Sequence, residues 1–267
     1  MLAGMPNKQS SVYPYSVRIQ SQMRYTVLAT DYDETLAHNG RVADTTIQAL
    51  MALRASGRAL VLVTGRHLPD LLNVFSRPDL FDSVVAENGA LLYRPAAREE
   101  KLLCTPPPAV LLAALRERQV PFTAGRGIIA TTEPHHVAVS EAIRKLGLDF
   151  QVILNRDSAM VLPSGTDKAT GLKAALDQLG FSAHNVVGIG DAENDHVFLA
   201  ACGCGVAVAN ALPALIEHAD LVTQQENGKG VEEVIHRLIN DDLADSFSPH
   251  PQDAPNLWRG RGARSEL

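Results

Sequence analysis

The chain has 267 residues, 46% hydrophobic and 20% charged, and a net charge of −6. That is enough to bury one large core or two modest ones, and the acidic balance speaks against nucleic acid or an anionic membrane as a main partner, since both need a basic surface. Apolar runs fall short of the about 18 residues of a membrane span, no secretory core opens the chain, and an odd cysteine count (104, 202 and 204) points to a reducing cytoplasm.

Residues 1–23 are Ser/Gln-rich and aperiodic and read as a disordered leader. Met23, just before the first predicted strand, is a second candidate start. Val27-Leu28-Ala29 is a short apolar run with strand character that stops at Asp31, and Asp33 and Thr35 follow. In extended chain, residues i and i+2 face the same side, so the strand would deliver two carboxylates to its carboxyl end, where open α/β sheets hold ligands. Two such charges call for a cation or a shared proton, and hard oxygen donors suit Mg²⁺. Taken alone, the stretch is explained equally well by a strand ending in a polar turn.

A helix follows, with Asp44 as its N-cap, Ile47, Leu50, Leu53 and Met51 on its apolar face, and Gly57 as its stop. Ala59–Val63 reads as a buried strand ending in Thr64-Gly65-Arg66, Leu68–Phe75 as a short helix, and Val84–Ala86 as a strand entering a tight turn at Glu87-Asn88-Gly89-Ala90. This alternation predicts βαβ units and a parallel sheet. The rhythm then changes. Helices over 109–118 and 134–146, with strands at 120–123, 125–132, 150–154 and 159–162, repeat an α-β-β pattern twice. We expect an inserted α+β domain over 91–163, flanked by a core of 24–90 and 164–244. In the returning core, Lys168–Leu179 and Ala192–Ala201 are helical, and Val186–Gly190, Val206–Val208 and Asp220–Val222 are strands. Pro213–Glu217 and Gly230–Ile239 are the last helices, and 245–267 reads as a disordered tail. Cys202-Gly203-Cys204 lacks a second ligand pair and reads as buried thiols.

The predicted strand ends carry Asp31 and Asp33, then Thr64, then Asp191 with Asn194 and Asp195, and a helix start carries Lys168. One parallel sheet would bring all of them to one edge. This set resembles the haloacid dehalogenase (HAD) superfamily. Asp31-Tyr32-Asp33-Glu34-Thr35 resembles its first motif, Thr64-Gly65-Arg66 its second, Lys168 its third, and Gly190-Asp191-Ala192-Glu193-Asn194-Asp195 its fourth. The insert is similar to the class IIB cap of Cof-type and sucrose-phosphate-phosphatase-like members, and Glu87-Asn88-Gly89 and Asn227-Gly228-Lys229-Gly230-Val231 are Cof-like. Glu34 departs from the pattern, where Gly is common.

The resemblance implies a Rossmann-like α/β core under an α+β cap, and a cytoplasmic Mg²⁺-dependent phosphatase acting on a small phosphorylated metabolite such as a sugar phosphate. Asp31 would be the nucleophile, Asp33 the general acid and base, and Thr64 and Lys168 the phosphoryl ligands. Asp31, the Asp33 carbonyl and Asp191 would hold the metal, with Asn194 and Asp195 in support. Gly65, Arg66, Asn88, Gly89, Arg126 and Arg156 are candidate substrate contacts; a solvated Arg66 and plain turns at Arg126 and Arg156 are the competing readings. His135 and His136 read as helix-start residues, and His38 and His67 as loop histidines. A phosphomutase of the phosphomannomutase type and a ligand-sensing module are the alternative functions.

Overall fold

The computed structural model describes residues 23–244. The leader read at 1–23, Met23 apart, and the tail read at 245–267 lie outside the described residues. Strand β1 (Val27–Thr30) leads to α1 (Asp44–Ala55), β2 (Ala59–Val63), α2 (Leu68–Val74) and β3 (Ser83–Ala86), then to the strands β4 (Leu91–Arg94) and β5 (Glu99–Leu102). Next come α3 (Ala109–Glu117), β6 (Thr123–Ala124), β7 (Ile129–Thr132), α4 (His136–Leu146), β8 (Phe150–Asn155) and β9 (Ser158–Pro163). The chain closes through α5 (Lys168–Leu179), β10 (Val186–Gly190), α6 (His196–Ala201), β11 (Cys204–Ala207), α7 (Pro213–Ile216), β12 (Leu221–Val222) and α8 (Asn227–Asp241).

The main sheet has the order β12-β11-β10-β1-β2-β3-β4-β5. Pairing is parallel from β12 to β3 and antiparallel for β4 and β5. Residues of β1, β2 and β10 are buried throughout, which is why they read as unbroken apolar runs. β1 is central, with Val27 opposite both Ala59 and Val186. The chain leaves β1 toward β2 and returns on the other side at β10, so the crevice at its carboxyl end is a topological switch point.

The smaller sheet, β6-β7-β9-β8, is antiparallel. Leu111, Leu115, Val139 and Ile143 of α3 and α4 pack against its Ile129 and Val161 as a separate core. A third apolar cluster, Ala90, Ile128, Met160 and Leu162, joins the two layers.

Several expectations are corrected. Residues 91–102, read as the start of the insert, form two strands of the main sheet, because Leu91, Leu92 and Tyr93 pack into the main core. The strand read at 120–123 is Thr123–Ala124, since buried Val120 belongs to the helix-backed core. Asp44 is the first helical residue and not the N-cap; Ala43 holds that position without a side-chain bond. Met51 is 49% exposed and lies off the buried face. The helix read over 192–201 is a 3₁₀ turn, Glu193–Asp195, followed by α6, and the last helix begins three residues earlier, at Asn227.

Candidate active site

β1 ends at Thr30, and Asp31 is the first residue beyond it, 5% exposed. Asp33 lies in the turn that follows, so the extended-chain geometry expected for the pair does not hold, and the two carboxylates take different partners. Lys168, 1% exposed, opens α5 one residue after the N-cap Asp167, whose side chain accepts from Thr170 N–H at 2.8 Å in a capping box. Helix α5 presses on the 3₁₀ turn Glu87–Gly89. Gly89 has φ +104°, and a Cβ there would stand 1.8 Å from the Asp167 carbonyl oxygen, so only glycine lets the helix start this close to the sheet edge. From there Lys168 Nζ donates to Asp31 Oδ1 at 2.6 Å and to Asp195 Oδ1 at 2.5 Å.

Asp195 sits behind the end of β10, where its Oδ2 accepts from the main-chain N–H groups of Asp191 and Ala192 at 2.9 and 3.0 Å. Gly190 makes the space, since a Cβ there would lie 2.7 Å from that carboxylate. Asp191 Oδ1 accepts from Thr35 Oγ1 at 2.8 Å, and its Oδ2 from Arg156 Nη2 at 2.5 Å. Burial pushes the Asp31 carboxyl well above the usual range; Lys168 opposes this, while Asp195 and Asp191 add to it. Burial and Asp195 likewise push Asp191 up, against the hydrogen bonds from Arg156 and Thr35. Burial alone would lower Lys168, but Asp195 and Asp31 hold it above its ordinary value.

Ligand atoms of Asp31, Asp191 and Asp195 lie within 4.8 Å of one another. Asp195 is held on both oxygens by buried donors, Lys168 and two main-chain N–H groups, whereas Lys168 takes one oxygen of Asp31 and the part-exposed Arg156 is one of the two donors on Asp191, so Asp31 and Asp191 are the carboxylates best able to serve a cation. Three buried carboxylates share one buried ammonium, and a hard divalent cation such as Mg²⁺ suits that excess of negative oxygen. The Asp33 carboxylate is outside this group.

Arg66 grips Asp33 in a fork, Nε to Oδ2 at 2.7 Å and Nη2 to Oδ1 at 2.6 Å, and that hydrogen bonding raises its own pKa. Thr64 is buried at the end of β2, and its hydroxyl accepts from Arg66 N–H at 3.1 Å. Asn194 Nδ2 donates to Asn88 Oδ1 at 3.0 Å. The remaining amide atoms of this pair, Asn194 Oδ1 and Asn88 Nδ2, are buried without a partner. Gly65 lies under Met160 of β9; a Cβ there would be 3.1 Å from Sδ.

The two insert arginines behave differently. Arg156 reaches Asp191. Arg126 turns away and pairs with Glu100 on β5, while its main-chain N–H and that of Gly127 donate to buried Glu87, at 3.1 and 2.7 Å. His38 contacts Glu34 and the side-chain amide of Asn227 at the start of α8, and His136 contacts the Glu133 carbonyl, a local role. Cys202 donates to the Phe198 carbonyl at 3.1 Å, and burial pushes the Cys204 thiol up to about 12. Sequence reasoning did not assign Thr35 to Asp191, Arg66 to Asp33, or Glu87 to the insert turn; the spacing of Thr35 after the first aspartate was the available signal.

Residues 28–108 and 128–235 match the family model of the haloacid dehalogenase-like hydrolases, and the chain belongs to that family. A phosphoglycolate phosphatase 2 of Saccharolobus solfataricus is 30% identical over 223 residues, spanning 80% of this chain and 92% of its own. A phosphoglycolate phosphatase of Methanothermobacter thermautotrophicus is 29% identical over 228 residues, spanning 79% and 98%. Among solved structures, a haloacid dehalogenase-like hydrolase from Bacteroides thetaiotaomicron shares the fold with a TM-score of 0.69 at 21% identity, covering 80% of this chain and 99% of its own. A HAD subclass IIB sugar phosphatase does so with a TM-score of 0.66 at 20% identity, covering 80% and 98%. Within the family, the chain is a phosphatase.

Proposed function

We propose that this phosphatase hydrolyses a small phosphomonoester carrying a second anionic group, with Mg²⁺, by way of an aspartyl-phosphate on Asp31. The observation that carries the reading is the buried Lys168 bridging Asp31 and Asp195 beside Asp191 at the sheet edge. The cation would be held by Asp31, Asp191 and the Asp33 main-chain carbonyl, and would supply charge neutralisation for a carboxylate approaching a phosphate. A carboxylate oxygen of Asp31 attacks phosphorus; the Asp31 O–P bond forms, the ester P–O bond breaks, and Asp33 protonates the departing oxygen. Water then attacks the aspartyl-phosphate, giving its proton to Asp33 and releasing phosphate and free Asp31. Arg66 aims Asp33 for both steps and gives up part of its fork when Asp33 turns to the leaving group. Thr64 and Lys168 hold phosphoryl oxygens, and Asp195 fixes Lys168 in place.

Two things support a second anionic group on the ester. Curated relatives are named phosphoglycolate phosphatases, and Arg156 brings a guanidinium, 42% exposed, to the mouth of the site. The test is a phosphate-release screen of phosphorylated carboxylic acids against sugar phosphates, with Mg²⁺ or excess chelator, for the native chain and Asp31→Asn. We expect chelator-sensitive release, highest on a phosphorylated carboxylic acid. Asp31→Asn should fold normally by circular dichroism and lose at least about 10³-fold in kcat. Chelator-resistant release, or near-native turnover in Asp31→Asn, would overturn the mechanism; a clear preference for sugar phosphates would overturn the substrate class.

A further inference from the structure

The insert sends a cation of its own into the acidic cluster. Arg156 is the first residue of the two-residue turn between β8 and β9, where Asn155 pairs with Ser158, and its φ is 49°. The tight turn directs the hairpin tip to the loop after β10, and the tip touches that loop twice. Arg156 Nη2 donates to Asp191 Oδ2 at 2.5 Å, and its main-chain N–H donates to Glu193 Oε2 at 3.3 Å. Thr35 already occupies the other Asp191 oxygen. Both oxygens of this carboxylate are therefore engaged by the chain itself. The two donors differ in what they lose by leaving. Thr35 is neutral and fully buried, so an unpaired Thr35 would be costly. Arg156 is positively charged, 42% exposed and mounted on a hairpin tip, so water compensates it when it withdraws, and an arriving cation repels it.

We propose that Arg156 is the internal counter-ion of Asp191 and that a divalent cation displaces it, so that metal affinity and the seating of the β8–β9 hairpin are one coupled equilibrium. This rests on the reading that Asp191 holds the cation. Displaced, the guanidinium remains at the mouth of the site and becomes available to the second anionic group of the ester. Coupling between two sites is reciprocal, so an anion that holds Arg156 away from Asp191 tightens cation binding by the same factor.

The test measures Mg²⁺ binding to the full-length, metal-stripped protein by titration calorimetry, without substrate. The variants are Arg156→Gln, Asp191→Asn and Arg126→Gln, the last removing an insert arginine that pairs with Glu100. We expect Arg156→Gln to tighten Mg²⁺ binding by about three- to fivefold, the upper part of what one partly exposed ion pair contributes, and Arg126→Gln to leave it within about twofold. Hydrogen exchange over residues 155–158 should quicken on adding Mg²⁺ to the native protein, and should be fast with or without Mg²⁺ in Arg156→Gln. Unchanged or weaker binding in Arg156→Gln would overturn the proposal. So would equal tightening in Arg126→Gln, which would mark a general field effect, or hairpin exchange indifferent to Mg²⁺. Full Mg²⁺ affinity in Asp191→Asn would remove the ligand reading and the proposal with it. Lost affinity in Asp191→Asn together with no effect of Arg156→Gln would overturn the displacement alone.

Discussion

Lys168 is the one ammonium in contact with the carboxylates of Asp31 and Asp195 among the described residues, and it is 1% exposed. Removing one partner from a buried ionic set leaves the other charges uncompensated, which typically costs about 3–5 kcal/mol. Lys168→Met should therefore lower unfolding stability by about that amount, and Mg²⁺ should restore part of it by taking over the carboxylates. Urea unfolding with and without Mg²⁺ checks this; a variant as stable as the native chain would show that the charges relax by protonation at little cost. The acidic residues were legible in the sequence because they stand where apolar strand runs stop. Their partners were not. Thr35 and Asp191 are 156 positions apart, and Asp33 and Arg66 are 33 apart, so only folding reveals which donor meets which carboxylate. Glu34 shows a departure explained by the structure. Its φ of 55° is in the left-handed region that favours glycine, and its carboxylate accepts from Asn39 N–H at 3.1 Å, a contact glycine would lack.

Helix α1 has no side-chain N-cap, and α8 brings a second negative charge to the first turn beside its own Asp44. Glu232 of α8 accepts from the hydroxyls of Thr45 and Thr46, both at 2.8 Å, and from Lys229 Nζ at 2.8 Å. An anion at a helix start is favourable. Burial pushes the Glu232 carboxyl up, but the hydrogen bonds from Lys229, Thr46 and Thr45 outweigh it and hold it below its ordinary 4.5. A carboxyl depressed in the folded state contributes stability above its unfolded pKa and loses it as pH falls through the folded value. Glu232→Gln should thus be less stable at neutral pH and should lose less on going to acid. Thermal unfolding of both proteins from pH 7 to pH 3 reads this directly, and parallel curves would refute it. Elements with a strong stop were legible: Gly57 after α1, Gly147 after α4 and Gly180 after α5 each follow the last helical turn. The strands β4 and β5 were not read from the sequence: Glu99-Glu100-Lys101-Leu102 is neither apolar nor alternating, and Val84 opposite Tyr93 is a contact that sequence periodicity does not encode.

Across the whole molecule, the two layers meet through apolar Met160 and Ile128 and through the polar hold of Glu87 on the insert turn. The division into a parallel core and an interrupting α-β-β repeat was legible because the two have different rhythms; the point where one becomes the other was not, because the main sheet takes two more strands before releasing the chain. That extension sets how the molecule behaves among its own copies. Among the described residues the sheet ends at β5 on one side and at β12 on the other. An unpaired edge is a template for strand addition by a second molecule. β12 has two residues, too few to recruit a partner strand. β5 runs Glu99-Glu100-Lys101-Leu102, three charged and exposed residues in a row, with Arg94 and Arg126 paired to the two glutamates. Brevity guards one border and charge the other. Replacing Glu99, Glu100 and Lys101 together with threonine should yield a protein that self-associates with rising concentration in sedimentation velocity, whereas the same replacement at three exposed helical positions should not. If the edge variant sedimented independently of concentration, the charges on β5 would have no protective part, and solubility would rest on the rest of the acidic surface.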